Sequence, residues 1–417
     1  MRGMKDSGIE WIGEIPCDWK LERSQWHLEE VNISNNPVQT NNVLSLTNKL
    51  GVVPYEEKGN QGNKSKENVY EYKLAYPNTI VANSMNILIG SVGLCDYFGC
   101  VSPVYYVFRA KKYNNIKFLN YVFQTVGFQR ELRKYANGIL EIRLRVSASD
   151  ILKRFIPFPS ENEQQRIAEF LDRECGKIDG VKADIQAQID TLEQYKRSVI
   201  TEAVTHGLNP SAPIKDSGIP WVGQFPTHWT KKKGKYILRY MSKPVKQDDG
   251  VITCFRDGEV TLRSNRREDG FTMADKEIGY QGVDVGDLVV HGMDGFAGAI
   301  GISDSRGKAS PVLNVLNTKQ NKKYIMYYLR SMAYGEVFTA LSTGIRVRSC
   351  DLRWNKLAEL LYPLPPIDEQ NNIVNYIDEQ IARTNDIIAD KKSQIETLDG
   401  YKKSLIYEYV TGKREVV

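Results

Sequence analysis

Apolar residues fall into two rhythms along this chain. Over two long stretches they return every seven positions. Leu171, Ile178, Ile185, Leu192 and Val199 mark the first stretch, and Ile381, Ile388 and Ile395 mark the second. Ile189 in the first, and Ile377, Leu398 and Leu405 in the second, interleave at the three/four spacing. This is the seam of a helix that packs lengthwise on another helix. Polar residues interrupt it at Lys182 in one copy and at Thr384 and Lys391 in the other. Neither helix buries its stripe alone, so packing the two together is the economical arrangement. Breaks at different heptads imply a specified register, but the pairing stays open. Gly176 and Gly180 each cost roughly 1 kcal/mol inside a helix, so a bend is expected there. Pro157-Phe158-Pro159 and Pro363-Leu364-Pro365-Pro366 stop whatever precedes the helices. Gly207 and Gly412 stand where C-terminal caps belong. Residues 208–213, Leu-Asn-Pro-Ser-Ala-Pro, read as a linker.

The second rhythm belongs to the segments between. Residues 101–109 and 287–292 are β-branched or aromatic runs bounded by Gly, Asp or Pro, which predicts strands. Residues 116–136 and 322–341 carry an amphipathic pattern, which predicts helices. Mixed α/β modules of about 140–155 residues result.

The order of parts is written twice. Lys5-Asp6-Ser7-Gly8-Ile9-Glu10-Trp11-Ile12-Gly13, with Pro16 and Trp19, returns 210 positions later as Lys215-Asp216-Ser217-Gly218-Ile219-Pro220-Trp221-Val222-Gly223, with Pro226 and Trp229. A second set is offset by 206. Pro157, Pro159, Glu163 and Gln164 match Pro363, Pro365, Glu369 and Gln370, and Leu192, Tyr195, Lys196 and Ser198 match Leu398, Tyr401, Lys402 and Ser404. Residues 20–156 and 230–362 look mostly unlike each other, apart from echoes such as Ser102-Pro103-Val104 against Ser310-Pro311-Val312. A copied scaffold holding two different modules implies two related jobs on different targets.

Charge sharpens that picture. The 417 residues carry 56 Lys+Arg against 51 Asp+Glu, a net charge of +5. Residues 160–207 hold 6 basic and 10 acidic residues, and residues 366–411 hold 5 and 9. Each helix is therefore at −4, which leaves +13 for everything else. The scaffold is acidic and the modules are basic, as expected if the modules touch a polyanion and the helices do not. Residues 111–154 and 230–267 are each at +7. Lysines can neutralise phosphates, and arginines can also grip guanine in the major groove.

Several chemistries find no support. The six cysteines (Cys17, Cys95, Cys100, Cys175, Cys254 and Cys350) form no CxxC pair, and only four histidines are present. Reduced, mostly buried thiols are expected, with no metal site. No P-loop motif occurs, and no [DN]PP[YF] stretch of the kind amino-methyltransferases place at the target base. The glycines in 296–301 read as a turn between strands rather than a cofactor loop. Glu163 and Glu369 read as first-turn acids that favour the helix dipole, not as catalytic carboxylates. No run of 18 apolar residues and no N-terminal apolar region occur, so a cytoplasmic chain without a transmembrane span is expected.

The KDSGIxWxGxxPxxW lead-in, the Pro-x-Pro-x-x-x-Glu-Gln element and the Leu-x-x-Tyr-Lys-x-Ser helix together resemble the specificity subunit of a Type I restriction-modification enzyme. The resemblance covers the whole chain. It implies an α+β chain of two mixed α/β target recognition domains, joined by two long antiparallel coiled-coil helices with pseudo-two-fold repeat. The parts would be residues 1–158 and 215–364 (recognition), 159–207 and 365–417 (helices), and 208–214 (linker). It further implies that each domain reads one half of a split, asymmetric site on double-stranded DNA, with the helices setting the spacer and docking two methyltransferase subunits. S-adenosylmethionine, ATP and Mg would be held by those partners and by restriction/translocase subunits, with no cofactor, metal or catalytic residue in this chain.

The DNA-contacting candidates are Arg143, Arg145, Lys231, Lys232, Lys233, Arg263, Arg266, Arg267, Arg346 and Arg348. Arg143, Arg145, Arg346 and Arg348 stand just before the Pro-x-Pro elements, where the family builds its recognition domain. Three other readings stay open: a self-sufficient methyltransferase or nuclease, a coiled-coil scaffold with incidental basic surfaces, and a specificity subunit of a methylation-only system.

Overall fold

The computed structural model describes residues 2–47, 51–58, 68–111, 114–138, 144–266, 278–341 and 352–416. The chain divides into two compact units, Met1–Ile185 with Lys392–Val417, and Gln186–Lys391. The division falls inside both long helices, Glu161–His206 and Ile367–Val410. Each unit thus consists of one globular module, the start of the long helix that follows it, and the end of the other. The physical reason is burial. Leu405, Ile406, Tyr409 and Val410 belong to the core of the first unit, and Ile200, Ala203 and Val204 to that of the second.

In the first unit a four-stranded antiparallel sheet runs in the order Leu28–Glu30, Tyr105–Ala110, Thr79–Asn83, Val92–Cys95. Its central strand, Thr79–Asn83, is buried at every position. The helices Ile116–Gln124 and Val126–Arg133 contribute Phe118, Leu119, Phe123 and Phe128 to the core beside that sheet. A smaller core around Val81, Val101 and Val107 includes Leu44 and Val52 of a hairpin.

The second unit repeats this plan with other residues. Its sheet order is Leu238–Tyr240, Leu313–Thr318, Leu288–His291, Ile300–Ile302. The helix Lys322–Tyr334 presents Tyr324, Tyr328 and Leu329 to the core.

Two predicted elements are subdivided. The helix expected over 116–136 breaks at Thr125, whose hydroxyl accepts from Phe128 N and caps a second helix. The helix expected over 322–341 stops at Gly335, and Glu336 takes φ +56° before a further turn. The strand expected over 101–109 begins only at Tyr105, because residues 99–101 pair with Lys73–Ala75 instead.

Within the first unit the two long helices run antiparallel. Lys182 pairs with Asp399, and Lys402 with Asp179 at 2.6 Å, so three steps back on one helix are three forward on the other. Within the second unit Lys196 donates to Asn385 at 2.8 Å and Lys391 to Gln188. Lys196 and Lys402 are equivalent residues of the repeat. Thr384, buried in the seam, satisfies its hydroxyl on Gln380 O of its own helix. Gly176 and Gly180 lie within the unbroken first helix, with open space where a Cβ would stand.

Candidate nucleic-acid interface

Each module is held to its helix by a joint built from the repeated motifs. The lead-in hairpin, Met4–Asp6 with Glu14–Pro16, delivers Trp19 into the core. Its indole Nε1 donates to Glu163 at 3.0 Å, and Arg2 donates to the same carboxylate. In the second copy Trp229 Nε1 donates to Glu369 at 3.0 Å, and His228 stands 2.7 Å from that carboxylate. The first-turn acids therefore receive the indoles as well as facing the helix dipole. Gln164 and Gln370, both fully buried, donate to Pro159 O and Pro365 O and accept from Asn115 N and Asn321 N. Gly412, at φ +71°, packs so near Pro16 and Trp19 that a Cβ would lie 2.4 Å from the proline ring. Gly207, at φ +79°, faces Trp229 and Pro226 more loosely, at 3.1 and 3.7 Å from where a Cβ would stand. Both caps thus need glycine for conformation, and Gly412 needs it for space as well.

A second tie also appears twice. Lys117 Nζ donates to Asp172 at 2.6 Å, and Tyr121 OH donates to the same carboxylate at 2.7 Å. In the second unit Lys323 donates to Asp378 at 2.7 Å, and Tyr327 OH donates to it too. Burial, then the bond to the carboxylate, pushes both phenols well above their usual range, so they remain donors. Asn115 and Asn321 cap the two helices concerned. All four residue pairs keep the 206 offset. The signal was in the sequence, inside segments that look unlike at the level of identity.

The basic candidates are distributed as follows. Lys231, Lys232 and Lys233 lie on Thr230–Lys233, all exposed and paired with Leu361–Leu364. Lys231 donates to Ser217 O. Lys233 and Lys235 share Glu359, and their hydrogen bonds, Lys233 first, hold that carboxyl down to about 2. Lys232 makes no ion pair among the described residues. Arg263 is half-buried, with Nε 3.3 Å from Thr253 Oγ1. Arg266 is bound to Asp257 and Glu259 at 2.8 and 2.9 Å and covers the Phe255 ring. Arg145 is exposed, its backbone bridged to Asn137. Arg143, Arg267, Arg346 and Arg348 lie outside the described residues.

Of the seam residues, Leu171, Ile178, Ile185, Ile189, Val199, Ile377, Ile388 and Leu405 are buried. Leu192, Ile381, Ile395 and Leu398 are half-buried. Among the described residues no helix is long and apolar enough to cross a membrane.

Comparison with known proteins agrees with this architecture. Residues 28–191 match the family described as the Type I restriction modification DNA specificity domain. The chain is 18% identical over 320 residues to the type I restriction enzyme StySPI specificity subunit of Salmonella potsdam, covering 73% of this chain and 67% of that one. It is 22% identical over 307 residues to the protein described as the type I restriction enzyme MjaX specificity subunit of Methanocaldococcus jannaschii, covering 69% and 66%. The chain thus spans about two thirds of the length of these relatives. Its fold is similar to that of a chain from a structure of the type I R-M system, with a TM-score of 0.66 at 12% identity, covering 96% of this chain and 99% of that one. The chain is thus similar, over residues 28–191 in sequence and over nearly its whole length in fold, to proteins of Type I restriction-modification systems.

Proposed function

We propose that this chain is the non-catalytic DNA-recognition subunit of a Type I restriction-modification complex. Each module reads one half of a split, asymmetric site on double-stranded DNA. The long helices set the unread spacer and dock two methyltransferase subunits. S-adenosylmethionine is bound by those subunits, and ATP and Mg are used by restriction subunits that join them. The chain acts in the cytoplasm, where that DNA is.

The observation that carries this reading is the repeated frame. Joint and tie are kept twice, at Trp19–Glu163 and Trp229–Glu369, and at Asp172 and Asp378. The modules they hold share a sheet order but differ in surface residues. A frame kept constant around two divergent basic modules suits a reader of two unlike half-sites. The test is single-molecule methylation mapping of DNA from cells carrying the gene, beside a deletion strain. A split motif with an adenine mark in each half, lost on deletion, is expected. Identical methylation in both strains, with no methyltransferase co-purifying, would overturn the reading.

A further inference from the structure

Both modules carry an exposed aromatic ring at the same place in the fold. Trp26 is 55% exposed and Tyr236 is 72% exposed, and the two are 210 residues apart, in the register of the repeated lead-in. Each is the third residue of a short helical turn, Ser24–Trp26 or Gly234–Ile237, that leaves the strand after the joint. The two turns are anchored alike. Ser24 N donates to Arg154 O at 2.8 Å, and Gly234 N donates to Leu360 O at 2.9 Å. The anchor leaves Gly234 no room, since a Cβ would lie 2.2 Å from Leu357 O.

Packing within the module does not account for rings so exposed. The surrounding sequence has diverged, from Lys-Leu-Glu-Arg-Ser-Gln-Trp to Thr-Lys-Lys-Lys-Gly-Lys-Tyr. What stays is a cation before the turn, Arg23 or Lys233, and an exposed aromatic ring with one hydrogen-bond donor as its third residue. A feature kept while the modules diverge faces something both halves meet alike.

We infer that Trp26 and Tyr236 seat the sugar–phosphate backbone of duplex DNA, independent of base sequence. The inference rests on the DNA-recognition reading and adds a positioning contact to it. Trp and Tyr share a flat apolar face and a single hydrogen-bond donor, which fits a deoxyribose beside a phosphate oxygen. The cations agree. Lys20 and Arg23 lie on the strand that leads into the first turn, and Lys111 Nζ donates to Gln25 O, next to Trp26, at 2.6 Å. Lys231, Lys232 and Lys233 lie on the exposed strand that leads into the second turn, and Lys235 Nζ stands 5.6 Å from the centre of the Tyr236 ring. The opposing carboxylates are Glu22, beside His27 and Lys20, and Glu359, which Lys233 and Lys235 share. Lysine is depleted at protein–protein interfaces, whereas it is the ordinary counter-charge of phosphate, which favours DNA over a protein partner.

The test uses the full chain and a random-sequence duplex in fluorescence anisotropy at low salt. Trp26→Ala and Tyr236→Ala should each weaken binding about five- to tenfold, and the double variant more. Trp26→Phe, which keeps the face and loses the donor, should fall between. Arg23→Ala or Lys233→Ala should also lower the salt slope by about 1. Circular dichroism checks that each variant is folded. If the folded double variant binds the duplex as well as the wild type, the inference is overturned. It is also overturned if the variant loses only a methyltransferase subunit. If the wild type binds no duplex, the DNA-recognition reading falls, and this inference with it.

Discussion

The indole of Trp19 is 1% exposed, and its one hydrogen goes to Glu163. Trp19→Phe keeps a ring in the core but leaves that carboxylate one donor short. A loss of about 1–3 kcal/mol is expected, read as a lower midpoint in denaturant melts. The same change at Trp229 should cost a similar amount, because Glu369 receives that indole in the same way. Asp249 makes a different kind of prediction. Hydrogen bonds from Arg306 are the main cause that lowers its carboxyl from the usual 3.8 to about 2. A carboxyl depressed on folding stabilises above its unfolded value, and the contribution is lost as pH falls through the folded one. Asp249→Asn should therefore melt below the wild type at neutral pH, with the gap closing as pH drops from 3.8 to about 2. A constant gap across that window would exclude the pairing as its source. Neither partnership was legible from sequence alone. Trp19 and Glu163 are 144 residues apart, and Arg306 and Asp249 are 57 apart.

At the scale of elements, the residues of the heptad seam all fall within the two long helices, Glu161–His206 and Ile367–Val410. The seam could not supply the pairing, since seven-residue periodicity is compatible with several registers. Lys182 breaks the stripe of its own helix and meets Asp399 of the other. Lys391 breaks the second stripe and meets Gln188. Such polar contacts in an apolar seam specify register. The shorter helices were harder to read. Thr125 ends one helix and caps the next, and nothing in apolar spacing marks that corner. The tie through Tyr327 is testable at this scale. Tyr327→Phe removes one donor to Asp378 and should cost about 1.5–3 kcal/mol, as for a hydrogen bond to a charged group. It should also loosen the helix Lys322–Tyr334, seen as faster amide exchange along it. Unchanged exchange there would mean that the tie through Tyr327 does not hold the helix.

At the scale of the whole molecule, each long helix begins in one compact unit and ends in the other. A helix of 46 residues rises about 69 Å. Half-sites one DNA turn apart are about 34–36 Å from centre to centre, so such helices are long enough to act as a ruler. Inserting one heptad into each helix adds about 10.5 Å while keeping the seam in phase. The preferred spacer should lengthen by up to about 3 base pairs, with both half-site sequences unchanged. Methylation mapping of the variant measures this directly, and an unchanged spacer would exclude the ruler.

The sequence by itself determined the plan of this protein: two copies of a lead-in, two divergent basic modules and two long acidic helices. These are local or periodic properties, carried by residues near one another in the chain or by a fixed offset. Tertiary structure alone decided the rest. It brought Trp19 to Glu163 and Lys117 and Tyr121 to Asp172, chose the helix register, and gave both modules one sheet order. It also left the rings of Trp26 and Tyr236 exposed. Such partnerships depend on which distant surfaces meet once apolar area is buried, and neither composition nor period records that meeting.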